Sequence, residues 1–132
     1  MSFIDNDSKK ALAHILAVDD DFMNLRILEM MLGKQFRVSC VTSGAEALAF
    51  LKEQRPDLIL LDLRMPEMDG FQVIEQLNAE EGYQDIPVVF LTGEDDPEVR
   101  KQGLAKGASD FITKPFVKDS MLQCVNRILG GE

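Results

Sequence analysis

Four short apolar runs most constrain what this 132-residue chain can become: Ile15 to Val18, Leu58 to Leu61, Val88 to Leu91 and Phe111 to Thr113. They are rich in Val, Ile and Leu and do not alternate with polar residues, which reads as strands buried on both faces of a parallel sheet. Each run ends at, or just before, a polar side chain: Asp19 and Asp20, Asp62, Thr92, and Lys114. In open α/β sheets ligands bind outside the carboxyl ends of the strands. The five polar side chains are therefore expected to converge, although they lie far apart in the chain. Three carboxylates with one hydroxyl and one amine suit a divalent cation and a phosphoryl group.

The segments between the runs carry helix signals. Asp20 or Asp21 caps a helix with Leu25, Leu28 and Leu32 on one face, and Gly33 is placed to stop it. Arg37 to Val41 is a fifth strand-like run. Ser43 and Glu46 form a capping box that opens a helix over 45–54, and Pro56 follows it. After the loop Asp62 to Asp69, a helix carries Phe71, Ile74 and Leu77 on one side. Asp96-Pro97 supplies a cap and a first-turn proline, and Gly107 ends that helix. A last helix spans about 118–129, with Leu122, Val125 and Leu129 inward. Alternation of strand and helix predicts a doubly wound α/β fold: right-handed crossovers, helices on both faces, and five parallel strands in the flavodoxin-like order 2-1-3-4-5. The crevice then lies between the first and third strands, which end in Asp19/Asp20 and Asp62.

Composition narrows the function. The net charge is −9, which argues against direct binding to nucleic acid. No apolar stretch is long enough to cross a bilayer, and Met1 to Lys10 is polar and does not resemble a signal peptide, so a cytoplasmic protein is expected. Cys40 and Cys124 do not form a metal-ligand spacing and read as buried free thiols. His14, the sole histidine, reads as structural or exposed. Met30, Met31 and Met121 read as core filler, and Met65 and Met68 as loop packing. The expected organisation is a tail over 1–12, one domain over 13–129, and a short tail over 130–132.

The chemistry can be assigned from residue type. Mg²⁺, or Mn²⁺ in its place, takes one or two carboxylates plus water and phosphate. Neighbouring residues on a strand point in opposite directions. Asp20 and Asp62 are therefore expected as direct ligands and Asp19 as partly water-mediated, with a backbone carbonyl near Arg64 completing the set. Asp62, alone at the end of the central strand, is best placed to attack a phosphoryl group and form an acyl phosphate. Lys114 would pair with one phosphoryl oxygen and Thr92 with another. The backbone N–H groups after Asp62 and Thr92 offer further donors.

Four motifs in order, Ala17-Val18-Asp19-Asp20-Asp21, Leu60 to Gly70, Leu91-Thr92-Gly93 and Gly107 to Phe116, resemble the receiver domain of two-component response regulators over about 13–129. The resemblance implies that Asp62 is the phosphoacceptor, charged by a phosphohistidine on a sensor histidine kinase or a histidine phosphotransfer protein. It implies that Asp19, Asp20 and Asp62 hold Mg²⁺, that Thr92 is the switch hydroxyl, and that Lys114 contacts the phosphoryl group. It also implies a cis peptide at Lys114-Pro115. Activation would draw Thr92 toward the phosphoryl group, free space for Phe111, and reshape the face made by the fourth helix, fifth strand and fifth helix for a partner.

The chain departs from the family in places. Its aromatic switch position is Phe111, without the frequent tyrosine hydroxyl. Two residues after the phosphoacceptor stands Arg64, and two after the switch hydroxyl stands Glu94; these sites influence dephosphorylation in the family. Their opposite charges predict a pair across the mouth of the site. Ser120 and Cys124 stand where the winged-helix subgroup has a Glu and an Arg, which puts that subgroup's dimer contacts in question, although a phosphorylation-dependent homodimer remains open. The output partner or effector domain is unknown: a stand-alone regulator and a module of a larger one both fit. A dehalogenase-type Mg²⁺-dependent phosphohydrolase is a rival, but it needs an acid where Arg64 stands. A flavin or nucleotide binder would want a Gly/Ser/Thr-rich loop in place of Asp19-Asp20-Asp21. The expectation is a signalling domain that catalyses only its own phosphorylation and dephosphorylation.

Overall fold

A computed structural model describes residues 12–130; a docking role for Phe3 or Ile4 lies outside those residues. The elements alternate without exception. They are β1 (His14–Val18), α1 (Phe22–Leu32), β2 (Arg37–Val41), α2 (Gly44–Glu53), β3 (Leu58–Asp62), α3 (Gly70–Ala79), β4 (Val88–Thr92), α4 (Pro97–Ala105), β5 (Asp110–Thr113) and α5 (Lys118–Gly130). The strands form one parallel sheet in the order β2-β1-β3-β4-β5, the expected doubly wound arrangement.

Every residue of β1, β3 and β4 is buried, which is why these runs read as continuous rather than alternating. Successive side chains serve opposite layers. Leu16, Val18, Ile59, Leu61, Val88 and Phe90 meet α2 and α3 through Ala47, Leu51, Val73, Ile74 and Leu77. Ile15, Ala17, Leu58, Leu60, Val89 and Leu91 meet α1 and α5 through Leu25, Leu28, Leu32, Met121 and Val125. Helix α4 differs from the others, since Gly103 is its only buried residue.

The caps follow the sequence signals, with refinements. Asp21 and Asp96 accept backbone N–H groups of the turns they open. Ser43 accepts from the Glu46 amide, but the Glu46 carboxylate passes over Ser43 to take both the amide and the hydroxyl of Thr42, so the reciprocal box is displaced by one residue. The complete capping box is at Asp69 and Gln72, whose side chains exchange bonds with each other's backbone. His14 is buried, its Nε2 2.7 Å from the Ser39 hydroxyl. Met121 is core, but Met30 is 76% exposed. It falls on the solvent side of α1, with Met23 and Ile27 and opposite the Leu25, Leu28 and Leu32 stripe. Cys124 is buried and Cys40 half-buried, both as free thiols.

Candidate functional site

The sheet register sets the distance between the principal acids. Val18 of β1 pairs with Leu61 of β3, so the next residues, Asp19 and Asp62, leave adjacent strand ends, and both are buried. Exposed Asp20 follows at the surface. Asp19, Asp20 and Asp62 each bring one carboxylate oxygen within 4.8 Å of the others. On the far side, Thr92 of β4 pairs with Thr113 of β5, and the amide of Lys114 donates to the Thr92 carbonyl at 2.7 Å. The Lys114–Pro115 peptide is cis. The Lys114 ammonium lies 3.0 Å from Asp62 Oδ1 and 3.2 Å from Asp19 Oδ2.

Burial pushes the Asp62 carboxyl up to about 7. The Asp19 charge and the contact with Asp20 add to that rise, and the Lys114 ammonium opposes it. Burial would lower the pKa of Lys114, but the Asp62 and Asp19 carboxylates outweigh it and hold the ammonium above its ordinary value. The result is a largely desolvated set of hard oxygens with one fixed cation. Both oxygens of Asp19 are engaged within the chain: Oδ1 accepts the Asp21 amide, and Oδ2 accepts the Asn24 side-chain amide at 3.2 Å as well as Lys114. Asn24 belongs to the site without any motif of its own. The one signal in the sequence is its place in the first turn of α1, five residues after Asp19.

The structure brings Asp19, Asp20, Asp62 and Lys114 into direct proximity and sets Thr92 on the neighbouring strand end. The Thr92 side chain is buried, and its hydroxyl accepts the Glu94 amide at 3.0 Å. Of the backbone donors expected around the acid, the amide of Leu63 is already used, bonding the Leu91 carbonyl at 3.0 Å. Arg64 and Glu94 pair as expected, with Nη2 2.7 Å and Nε 2.8 Å from Glu94 Oε1. Phe111 is not at the surface. Its ring is buried and lies 5.4 Å from that of Phe90, which contacts Phe71 edge-on.

Helix α3 is anchored to the same corner. The Gly70 amide donates to the Leu63 carbonyl at 2.9 Å, and a Cβ there would stand 2.8 Å from both the Asp62 carbonyl and the Phe90 ring. Only a glycine allows this approach. Among the described residues no helix is long and apolar enough to cross a membrane.

The family described as response regulator receiver domain matches residues 15–126. The chain is 47% identical over 111 residues to the response regulator PleD of Caulobacter vibrioides, a match that covers 83% of this chain but only 24% of that protein, so the chain spans about a quarter of this relative. Among solved structures, chemotaxis protein CheY4 of Vibrio cholerae superposes with a TM-score of 0.86 at 33% identity, over 90% of this chain and 100% of that one. The receiver domain of a sensor histidine kinase from Pseudomonas aeruginosa PAO1, solved with magnesium in its active site cleft, superposes with a TM-score of 0.82 at 31% identity, over 91% of this chain and 99% of that one.

Proposed function

This chain belongs to the response regulator receiver domain family, and on that footing we propose that it is a phosphoacceptor switch whose nucleophile is the Asp62 carboxylate. The donor is a phosphohistidine on a sensor histidine kinase or a histidine phosphotransfer protein. One Asp62 oxygen attacks phosphorus, the P–N bond breaks, and the imidazole nitrogen keeps the electron pair and takes up a proton. The observation that carries this reading is the Lys114 ammonium, 3.0 Å from Asp62 and 3.2 Å from Asp19. A buried carboxylate with a fixed cation beside it is prepared to receive a tetrahedral anion.

The donor set fits Mg²⁺ or Mn²⁺: three carboxylates, all hard oxygens, converge within 4.8 Å. Asp20 and Asp62 would bind the ion directly, with the carbonyl of Arg64. Asp19, whose oxygens are taken up by Asp21, Asn24 and Lys114, would act through water. The bound ion would offset repulsion between the carboxylate and the incoming phosphoryl group. Lys114 then holds one phosphoryl oxygen, and Thr92 turns its hydroxyl to another.

The exposed side of α1, the helix that opens directly after Asp19-Asp20-Asp21, offers Phe22, Met23, Ile27 and Met30. Apolar surface next to a site that must be approached closely suits a docking donor. Output is read from the face formed by α4, β5 and α5, by a separate partner, an attached effector domain or a second copy. The receiver unit is taken as residues 13–129, in a cytoplasmic setting. It catalyses only its own phosphorylation and hydrolysis.

The test is incubation with acetyl phosphate and Mg²⁺, read by intact mass. A phosphoryl increment in the wild type, absent in Asp62→Ala and with a chelator, supports the reading. An increment that persists in Asp62→Ala overturns it.

A further inference from the structure

We infer that Asn24 is a positioning residue that biases the acidic cluster toward Mg²⁺ and against Ca²⁺, by occupying one oxygen of Asp19. This inference deepens the cation role given to Asp19, Asp20 and Asp62 and rests on it. An ionised carboxylate offers about four acceptor positions, two on each oxygen. Among the described residues, Asp19 Oδ1 accepts the Asp21 amide at 2.8 Å. Oδ2 accepts both the Asn24 side-chain amide and the Lys114 ammonium, each at 3.2 Å. Oδ2 is then full, and the one open position is on Oδ1. Asp19 is fully buried, so a donor withdrawn from it is replaced only from within the site.

Helix α1 does not need the Asn24 side chain. Its cap is Asp21, whose carboxylate accepts the Met23 amide, and the Asn24 backbone amide bonds the Asp21 carbonyl. The side-chain nitrogen is left for Asp19, and because that carboxylate only accepts, the nitrogen and not the oxygen must face it. Lys114 cannot fill this role alone. Its ammonium is shared with Asp62 at 3.0 Å and is the group assigned to a phosphoryl oxygen. Asn24 carries no charge, so its bond to Asp19 stays when Lys114 turns away. The choice of ion follows from the count of open positions. Mg²⁺ is octahedral and keeps several waters, whereas Ca²⁺ takes about six to eight oxygens and often grips a carboxylate by both. A carboxylate with one oxygen closed serves Mg²⁺ through water and withholds the two-oxygen grip from Ca²⁺. Without Asn24 a position opens on Oδ2 beside the one on Oδ1, and that grip becomes available.

The experiment is calorimetric titration of Mg²⁺ and of Ca²⁺ into the whole chain, as wild type and as Asn24→Leu. Leucine keeps a branched side chain without a donor and leaves no hole for water to bond Asp19 instead. The expected result is a ratio of the Ca²⁺ Kd to the Mg²⁺ Kd that falls about tenfold in the variant, the scale of a lost partner behind a metal ligand. A purely structural asparagine would weaken both ions alike and leave the ratio unmoved. An unchanged ratio, with both ions still bound, overturns the inference and leaves the Mg²⁺ reading standing. A wild type that binds neither ion overturns that reading and the inference with it. Should Asn24→Leu fail to fold, Asn24→Met is titrated against the same outcomes. NMR of the metal-free wild type tests the bond itself. One Asn24 side-chain amide proton should be shifted downfield and protected from exchange, and a pair that exchanges as in an exposed asparagine overturns the inference.

Discussion

Arg64 and Glu94, each two residues beyond a strand-end residue of the site, Asp62 and Thr92, join the loops after β3 and β4 by an ion pair of 2.7 Å. Both side chains are substantially exposed, and such pairs contribute about 0–1 kcal/mol to stability. Their effect should fall on access instead. Arg64→Ala is expected to leave the melting temperature nearly unchanged and to speed hydrolysis of the phosphorylated form about three- to tenfold, equivalent to removing roughly 0.7–1.4 kcal/mol from its barrier. Decay of the phosphoryl increment after donor removal measures this, and an unchanged decay rate rules out shielding by the pair.

Lys114 is the only cation in contact with the Asp62 and Asp19 carboxylates among the described residues. Lys114→Ala should therefore reduce labelling by acetyl phosphate by about 10²-fold or more, the scale expected for a lost charge-stabilising donor. Its removal also withdraws the influence that holds Asp62 down, so the Asp62 pKa should rise further. Carboxyl titration by NMR reports that rise, and labelling at the wild-type rate would remove Lys114 from the chemistry.

In metal-free protein Asp62 sits at about 7 against an unperturbed 3.8. The folded state thus holds a proton that the unfolded chain has released, and between those values stability falls as pH rises. The Asp62 contribution is full below about pH 4 and lost by about pH 7. The span is on the order of a few kcal/mol. Asp62→Asn should flatten this dependence in urea titrations at successive pH values, and Mg²⁺ should restore stability at neutral pH because it takes the proton's place. A wild-type slope of the opposite sign would contradict the assignment.

Gly70→Ala should cost about 1–3 kcal/mol, because the added carbon meets backbone of β3 as well as the Phe90 ring and has no flexible side chain to displace at the strand end. It should also slow labelling, since the Asp62 carbonyl is one of the atoms pushed. Urea midpoints and intact mass read the two effects, and an unaltered urea midpoint would show that α3 can slide away without cost.

The gathering of the site is legible because strand ends are legible. Continuous apolar runs closed by Asp19, Asp62, Thr92 and Lys114 fix where the polar atoms leave the sheet, and parallel pairing brings those ends to one edge. The opposite charges of Arg64 and Glu94 are equally plain. What cannot be read depends on three-dimensional detail. The bond from Asn24 to Asp19 depends on how the first turn of α1 leaves the end of β1, and no local pattern marks that pairing. The loss of the Leu63 amide to Leu91 follows from β3 continuing its ladder to the last possible bond. Met30 reads as core only because methionine is apolar. Its spacing from Met23 and Ile27 sets it on the outer side of α1.

Asp19 and Asp62 owe their separation to hydrogen bonding between β1 and β3, not to any choice made by their side chains. Neighbouring strands lie about 4.8 Å apart wherever a sheet exists, so the two acids keep their spacing for as long as the centre of the molecule survives. Cation affinity should then not fade ahead of the fold as urea is raised. Binding and global unfolding should follow a single transition, which makes occupancy of this acidic pair an internal gauge of how many molecules in a sample are intact.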